Sequence, residues 1–401
     1  MYKRSFSRSP FSRGTTFGNK GFSRRPSRPA KGRGQRIDIS KFVNKAIEQE
    51  LDEIFKPKHS FSDFKIDERL KANITAKKYV SPTPIQDEAI PYLLDNKDII
   101  GIANTGTGKT AAFLVPLINR VIKDNRENVL IMAPTRELAI QIDVELRGFA
   151  RGLNIFSVCA VGGVNIGPQI RALRSRNNFI IGTPGRLKDL ITRKFINLST
   201  FNSVVLDEAD RMLDMGFIDD MRFIMSRLPK ARHTLFFSAT FGREIEGLTH
   251  DFLNNPVKIS VKTRDTSKNV EQDIIRIERG GDKVEVLHNL LIKPEFNKVL
   301  IFGRTKHGVE RLCIALGRRG FKVDSIHGDK NHSQRQKALA SFKNNYVQVL
   351  VATDVAARGL DISGISHVIN YDLPMTYDDY VHRIGRTGRG EKKGKALTFI
   401  E

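Results

Sequence analysis

The residues 103–110 read Ala103-Asn104-Thr105-Gly106-Thr107-Gly108-Lys109-Thr110 and stand between an apolar run at 98–103 and a helix-like stretch. Gly106 and Gly108 let the backbone curl so that its N–H groups face phosphate oxygens. Thr105 and Thr107 fill the same loop. Lys109 reaches the β and γ phosphates of a nucleotide, and the Thr110 hydroxyl suits Mg²⁺. Ala103 stands where the general pattern of such loops has glycine. A second set, Asp207-Glu208-Ala209-Asp210, follows the apolar run 204–206. Asp207 is placed to hold the metal beside the phosphates, and Glu208 to orient and deprotonate a water. Together the two sets suit metal-assisted hydrolysis of a nucleotide's terminal phosphate, with Mg²⁺ as the metal.

These loops need rigid elements behind them, and the sequence supplies a repeating pattern. Apolar, β-branched runs at 98–103, 128–133, 156–161, 179–181, 204–206, 234–237 and 257–261 alternate with helix-like stretches. A polar break follows, and the pattern resumes at 274–277, 298–302, 323–326, 347–351, 367–371 and 396–400. Continuous apolar runs with helices between them mean buried parallel strands, whose ligands bind beyond their carboxyl ends. The expected fold class is therefore α/β, with two tandem domains. The expected organisation is a basic tail at 1–38, a connecting extension at 39–60, a first domain at 61–261, a linker at 262–271 and a second domain at 272–401.

Composition narrows the partner. The chain has 401 residues, 40% of them hydrophobic, and a formal net charge of +23. The eleven Lys and Arg residues before Asp38 meet no acid, and Tyr2, Phe6, Phe11, Phe17 and Phe22 are spaced among them. Such a segment is too polar to fold alone, and its cations and rings suit phosphates and bases. No apolar run is long enough to span a bilayer, and two cysteines are too few for a disulfide framework. The expectation is a cytoplasmic protein that binds nucleic acid and no membrane.

With the phosphate loop and Asp207-Glu208-Ala209-Asp210 in place, the chain from about 61 onward resembles the DEAD-box ATP-dependent RNA helicases. This resemblance implies two RecA-like domains. Lys78-Tyr79-Val80-Ser81-Pro82-Thr83-Pro84-Ile85-Gln86 is similar to the family's Q motif, with Lys78 where glycine is usual. By the resemblance Gln86 reads the adenine edge and Phe61 stacks on the base. It implies that three loops hold the RNA backbone without reading bases: Pro134, Thr135 and Arg136; Gly163; and Thr183, Pro184, Gly185 and Arg186. Ser238 and Thr240 are then the residues that couple nucleotide state to strand separation.

In the second half, Arg304 with Thr305, Arg335, and Thr353 with Arg358 resemble further RNA-contacting motifs. Asp354 is implied at the ribose. His382-Arg383-Ile384-Gly385-Arg386-Thr387-Gly388-Arg389 resembles the motif whose Arg386 and Arg389 reach the γ-phosphate. Residues 262–401 show no second phosphate loop, so one ATP between two domains is expected. The implied activity is RNA-stimulated ATP hydrolysis coupled to local, non-processive unwinding or remodelling of RNA duplexes and RNA–protein complexes. Ribosomal or RNA-decay proteins are possible partners, and a monomer is implied. Two rivals stay open on the residues alone: a DNA helicase, and an RNA-binding protein with a vestigial ATPase.

Overall fold

The apolar runs become short parallel strands, and the central ones are covered on both faces. In the computed structural model the described residues are 55–104, 106–261, 270–278, 280–357, 362, 364–388 and 394–400. The expected tail and most of the expected extension therefore lie outside them.

The first sheet contains β1 (Ile99–Ile102), β2 (Val129–Met132), β3 (Ser157–Ala160), β4 (Phe179–Gly182), β5 (Ser203–Leu206), β6 (His233–Ser238) and β7 (Val257–Ser260). Their order is β3-β4-β2-β5-β6-β1-β7, and every pairing is parallel. Along β2 the side chains divide by alternation. Val129 and Ile131 join the core that contains the helices Glu68–Ala76, Pro84–Leu94, Lys109–Lys123 and Arg136–Phe149. Leu130 and Met132 join the core on the opposite face, under Pro184–Thr192, Ile218–Met225 and Arg243–Phe252. The period of two along a strand, applied to an apolar run, gives a sheet buried on both sides.

The second sheet contains β8 (Val270–Arg276), β9 (Val299–Phe302), β10 (Val323–Ile326), β11 (Val349–Ala352), β12 (His367–Asn370) and β13 (Gly394–Ile400). Its order is β10-β11-β9-β12-β13-β8, again with every pairing parallel. One boundary differs from the sequence reading. Val270 and Glu271, placed in the linker for their polar surroundings, are the first two residues of β8. As an edge strand, β8 alternates: Val270 and Gln272 are buried while Glu271 and Asp273 face solvent, so the polar residues hid the strand. The Tyr380 hydroxyl donates to Gln272 Oε1 at 2.9 Å and anchors that edge.

Lys78, which opens the segment similar to the Q motif, takes a backbone conformation that suits glycine. Lys78 has φ 62°, in the left-handed region, and its side chain is exposed. An L-residue in this conformation costs roughly 1–2 kcal/mol, of which glycine's own flexibility returns part. Lys78→Gly should therefore stabilise the protein by about 1 kcal/mol, read as a higher urea midpoint with an unchanged slope. A lower midpoint would mean that the Lys78 side chain makes interactions outweighing the strain.

Candidate active site and RNA-facing surface

The phosphate loop leaves β1 and enters the helix Lys109–Lys123. Gly106 (φ 85°) and Gly108 (φ 92°) both hold left-handed backbone. A Cβ on Gly108 would lie 2.4 Å from Gln86 Nε2, so the Q motif packs directly on the loop. Gln86 ties the two together: its Nε2 donates to the Gly108 carbonyl at 3.0 Å, and its Oε1 accepts from Thr83 N at 2.9 Å. Lys109 is buried and donates to the Ala103 carbonyl at 2.8 Å, across the mouth of the loop. The Thr107 hydroxyl donates to the Asn104 carbonyl at 2.8 Å, and Thr110 is half-buried one residue into the helix. Phe61 is buried edge-on against Phe64 and Tyr79. Thr105 lies outside the described residues.

The segment bearing Phe61 is clamped by a residue that sequence reasoning passed over. Asp87, next to Gln86, accepts from the backbone N–H of Lys58 (2.8 Å) and His59 (3.0 Å), and its Oδ1 lies 2.7 Å from His59 Nδ1. The signal was adjacency to Gln86, without any spacing to make it stand out.

Beyond β5, Asp207 and Glu208 are both buried. Asp207 Oδ1 has no hydrogen-bond partner. Burial pushes this carboxyl up to about 6, against the pull of Lys109. Glu208 takes left-handed backbone at φ 53°, and Arg211 Nη1 meets its Oε2 at 3.0 Å. Burial would raise its carboxyl, but Arg211, Lys109 and Arg386 together hold it below the ordinary range. Asp207 and Glu208 thus sit side by side with opposite tendencies.

The raised Asp207 has a thermodynamic consequence. Its native value lies above the unfolded one, so the native state keeps its proton longer. This group's penalty is absent below about pH 4, grows as pH rises to about 6 and is complete above that. Asp207→Asn should therefore raise the melting temperature of nucleotide-free protein at pH 7.5, by a gain on the order of 2 kcal/mol that shrinks toward pH 5. A variant that melts lower at both pH values would contradict the penalty.

Asp210 closes the set. Its Oδ2 accepts from Ala239 N (3.1 Å), Thr240 N (2.9 Å) and the Thr240 hydroxyl (3.1 Å). The Ser238 hydroxyl, at the end of β6, donates to the Thr240 carbonyl at 2.7 Å, and the Ser238 carbonyl accepts from Ala103 N at 3.0 Å. Ser238 and Thr240 are therefore bonded both to the acidic tetrapeptide and to the phosphate loop's first residue.

The second domain reaches the same place. Arg386 is buried, and its charge helps keep Glu208 ionised. His382 is pushed down to about 4 by burial, with Arg211 and Arg386 adding to the effect. Arg389 and Arg358 lie outside the described residues. Asp354 is held by Arg383, whose Nε and Nη2 donate to its two oxygens at 2.5 and 2.8 Å. Any ribose hydroxyl must therefore share that carboxylate with a guanidinium.

The expected RNA-facing residues divide by exposure. Pro134, Thr135, Thr183 and Pro184 are buried, and the Thr135 hydroxyl accepts from Leu138 N at 3.3 Å to cap its helix. Gly163 and Gly185 are exposed, while Arg136 and Arg186 are half-buried. Gly163 (φ 67°) holds left-handed backbone and packs against the Arg136 guanidinium, which a Cβ there would displace. Arg186 is fixed by Gln169 Oε1 (3.0 Å) and the Val164 carbonyl (3.3 Å). Arg335, from the second domain, pairs with Glu137 of the first at 3.0 Å. Burial lowers the Arg136 guanidinium, and Arg335 and Arg186 add to that against Glu137, so three arginines converge. Arg304, Thr305 and Thr353 follow β9 and β11, with Arg304 N donating to Asp372 Oδ2 at 2.7 Å and Thr305 capping its helix through Gly308 N.

Comparison with known proteins resolves the family. The profile described as DEAD/DEAH box helicase matches residues 83–248, and that described as helicase conserved C-terminal domain matches 282–391. The chain is 45% identical over 343 residues to the DEAD-box ATP-dependent RNA helicase CshA of Bacillus subtilis (strain 168), covering 85% of this chain and 69% of the relative. The chain belongs to the DEAD-box ATP-dependent RNA helicases. The CshA helicase of Listeria monocytogenes is 44% identical across 85% of this chain and 66% of its own length. Among solved structures, S. cerevisiae Dbp5 bound to RNA and ADP BeF3 matches with TM-score 0.76 and 32% identity, over 85% of this chain and 89% of that one. Mss116p bound to ssRNA and AMP-PNP matches with TM-score 0.75 and 30% identity, over 84% of this chain and 72% of that one. The two parallel sheets are thus the two RecA-like domains of a DEAD-box helicase.

Proposed function

We propose that this DEAD-box chain is an RNA-stimulated ATPase that opens or remodels short RNA duplexes and RNA–protein complexes without long translocation. The observation that carries the reading is Arg386: an arginine of the second domain acts electrostatically on Glu208 of the first. Hydrolysis at Glu208 then depends on where the second domain sits. Arg335 pairs with Glu137 beside Arg136 and Arg186, so phosphates bound by these arginines favour the same placement.

The nucleotide is bound by the phosphate loop, with Gly106, Thr107 and Gly108 giving backbone donors and Lys109 turning from Ala103 to the phosphates. Thr105 belongs to that loop by position. Gln86 and Phe61 take the base, and Asp354 the ribose alongside Arg383. The partnerless Asp207 Oδ1, in a carboxyl destabilised by burial, fits a divalent cation together with the Thr110 hydroxyl. Mg²⁺ held there would withdraw charge from the phosphate oxygens. Glu208 orients the attacking water and accepts its proton, while Arg386 and Arg389 neutralise charge on the phosphoryl oxygens. Ser238 and Thr240, bonded to Asp210 and to the loop, pass the state of the phosphate site across the sheet.

RNA runs over Arg136, Gly163, Gly185 and Arg186, and over Arg304, Thr305, Arg335, Thr353 and Arg358. Pro134, Thr135, Thr183 and Pro184 shape those loops from below. Contacts of this kind grip sugar and phosphate and carry no base information. A strand bent to fit both surfaces cannot stay paired, and a base-pair step costs about 1.4 kcal/mol by the DNA figure, so only a few pairs open per event. The same reading has the chain acting as a cytoplasmic monomer among ribosomal or RNA-decay proteins.

Steady-state ATP hydrolysis without nucleic acid, with single-stranded RNA and with matched DNA tests it. Stimulation by RNA alone is expected; equal rates in all three would sink the RNA coupling. The tail is assigned extra phosphate binding. Removing residues 1–37 should weaken RNA affinity and flatten its salt dependence, by about 0.7 in log–log slope for each phosphate that the tail neutralises. An unchanged slope would leave the tail without a role in RNA binding.

A further inference from the structure

The two sheets can be aligned strand for strand. The order β10-β11-β9-β12-β13-β8 matches β3-β4-β2-β5-β6-β1, which makes β8 the counterpart of β1. The correspondence extends into the loop. Gly106 (φ 85°) stands three residues before Lys109, the first residue of its helix; Gly280 (φ 86°) stands three residues before Lys283, the first residue of the helix Lys283–Leu291. A Cβ on either glycine would meet open space. Glu208 is the second residue beyond β5, and Asp372 is the second beyond β12, with Lys283 Nζ 3.9 Å from Asp372 Oδ1. The second domain thus carries a degenerate copy of the phosphate loop, which the sequence hides because only one glycine and the lysine survive.

The copy opens on a cavity of about 730 Å³. Three cations line it, Lys283, Arg304 and Arg311, against the single carboxylate of Asp372. The half-buried ring of Tyr371, with Lys283 Nζ 4.6 Å from its centroid, and the exposed Leu373 supply an apolar wall. A volume of this size suits a drug-sized or nucleotide-sized ligand. The loop itself no longer suits a polyphosphate: Asp282 stands where the first domain has Gly108, and its carboxylate accepts from Val284 N at 2.8 Å. A phosphate must instead lean on the side chains, whose net charge is +2. A phosphomonoester carries about −1.5 to −2 at pH 7 and balances it.

We propose that this cavity binds a nucleoside monophosphate, free or at the end of an RNA strand, with its phosphate against Lys283, Arg304 and Arg311 and its base on the apolar wall. Arg304 is shared with the proposed RNA path; Lys283 and Arg311 are not. Equilibrium dialysis of AMP against the full chain tests it. Two AMP per chain are expected, one removed by Gln86→Ala and the other weakened tenfold or more by Arg311→Glu. Arg311 is exposed, so the variant should fold, with RNA-free ATP turnover unchanged. Adenosine should fill only the Gln86-dependent site. Displacement of the second AMP by a 5′-phosphorylated trinucleotide, and not by its 5′-hydroxyl form, identifies a strand end as the occupant; no displacement identifies the free nucleotide. One AMP per chain in the parent, or two that Arg311→Glu leaves equally tight, overturns the proposal.

Discussion

Glu208→Gln should bind ATP normally and hydrolyse it roughly 10²–10⁴ times more slowly. The substitution is nearly isosteric. The amide keeps an oxygen toward Arg211, which meets Glu208 Oε2 at 3.0 Å, and the left-handed backbone at φ 53° is not changed by the exchange. What disappears is the negative charge, and with it the acceptor for the water's proton. Arg211, Lys109 and Arg386 hold the Glu208 carboxyl below its ordinary range despite burial, so it is ionised throughout the physiological range and is a weak base. Its contribution is then orientation of the water, with proton transfer late along the reaction. The expected pH profile of the parent is accordingly flat on the acid side as far as Glu208 is concerned. A fall in kcat/KM on acidification should instead track Asp207, near pH 6 in nucleotide-free protein. Single-turnover hydrolysis alongside nucleotide affinity separates the two steps. Near-parent hydrolysis by Glu208→Gln would remove Glu208 as the residue that activates water.

Residue types and spacing made much of this site readable, and the failures have physical causes. Apolar runs announce strands buried on both faces, and β9 (Val299–Phe302) lies within the run 298–302 that its pattern marked. Edge strands need only one apolar face, so Val270 and Glu271 of β8 read as linker. Loops that bind phosphate need glycine and lysine at set distances, which makes 103–110 conspicuous, whereas the copy at Gly280 and Lys283 is visible only once β8 is placed beside β13. Partnerships between distant side chains carry no local signature. Asp87 holding Lys58 and His59, Arg383 holding Asp354, and Asp210 holding Thr240 join residues 28, 29 and 30 positions apart. Burial likewise cannot be read from a motif: Thr135 and Thr183 look like ligands for phosphate, yet they are covered, and what their loops present is Arg136, Gly185 and Arg186.

Arg386→Ala should abolish multiple-turnover ATP hydrolysis, with a loss of roughly 10³–10⁵ in rate, while leaving intact ATP binding to the first domain and the RNA binding proposed for the tail. Both position and charge give Arg386 this role. Arg386 follows the helix Tyr377–Ile384 and is buried, and the nearby Arg383 anchors that helix end to Asp354, Asn370 and the Asp372 carbonyl. The guanidinium is therefore presented by a fixed scaffold. Its effect on Glu208 places it within Coulomb range of the hydrolytic centre. A cation there is worth most when charge moves onto the phosphoryl oxygens, in surroundings too dry for water to replace it. Arg386→Lys separates charge from geometry. Lysine keeps the charge but lacks the planar fork that grips two oxygens at once, so it should recover only a small part of the rate. Full recovery by lysine would mean that charge alone matters, and parent-like turnover in the alanine variant would rule out a catalytic role for Arg386. Because the residue belongs to the second domain, RNA stimulation should disappear with it. An alanine variant that retained RNA stimulation over a lower basal rate would show that domain placement reaches Glu208 by another route.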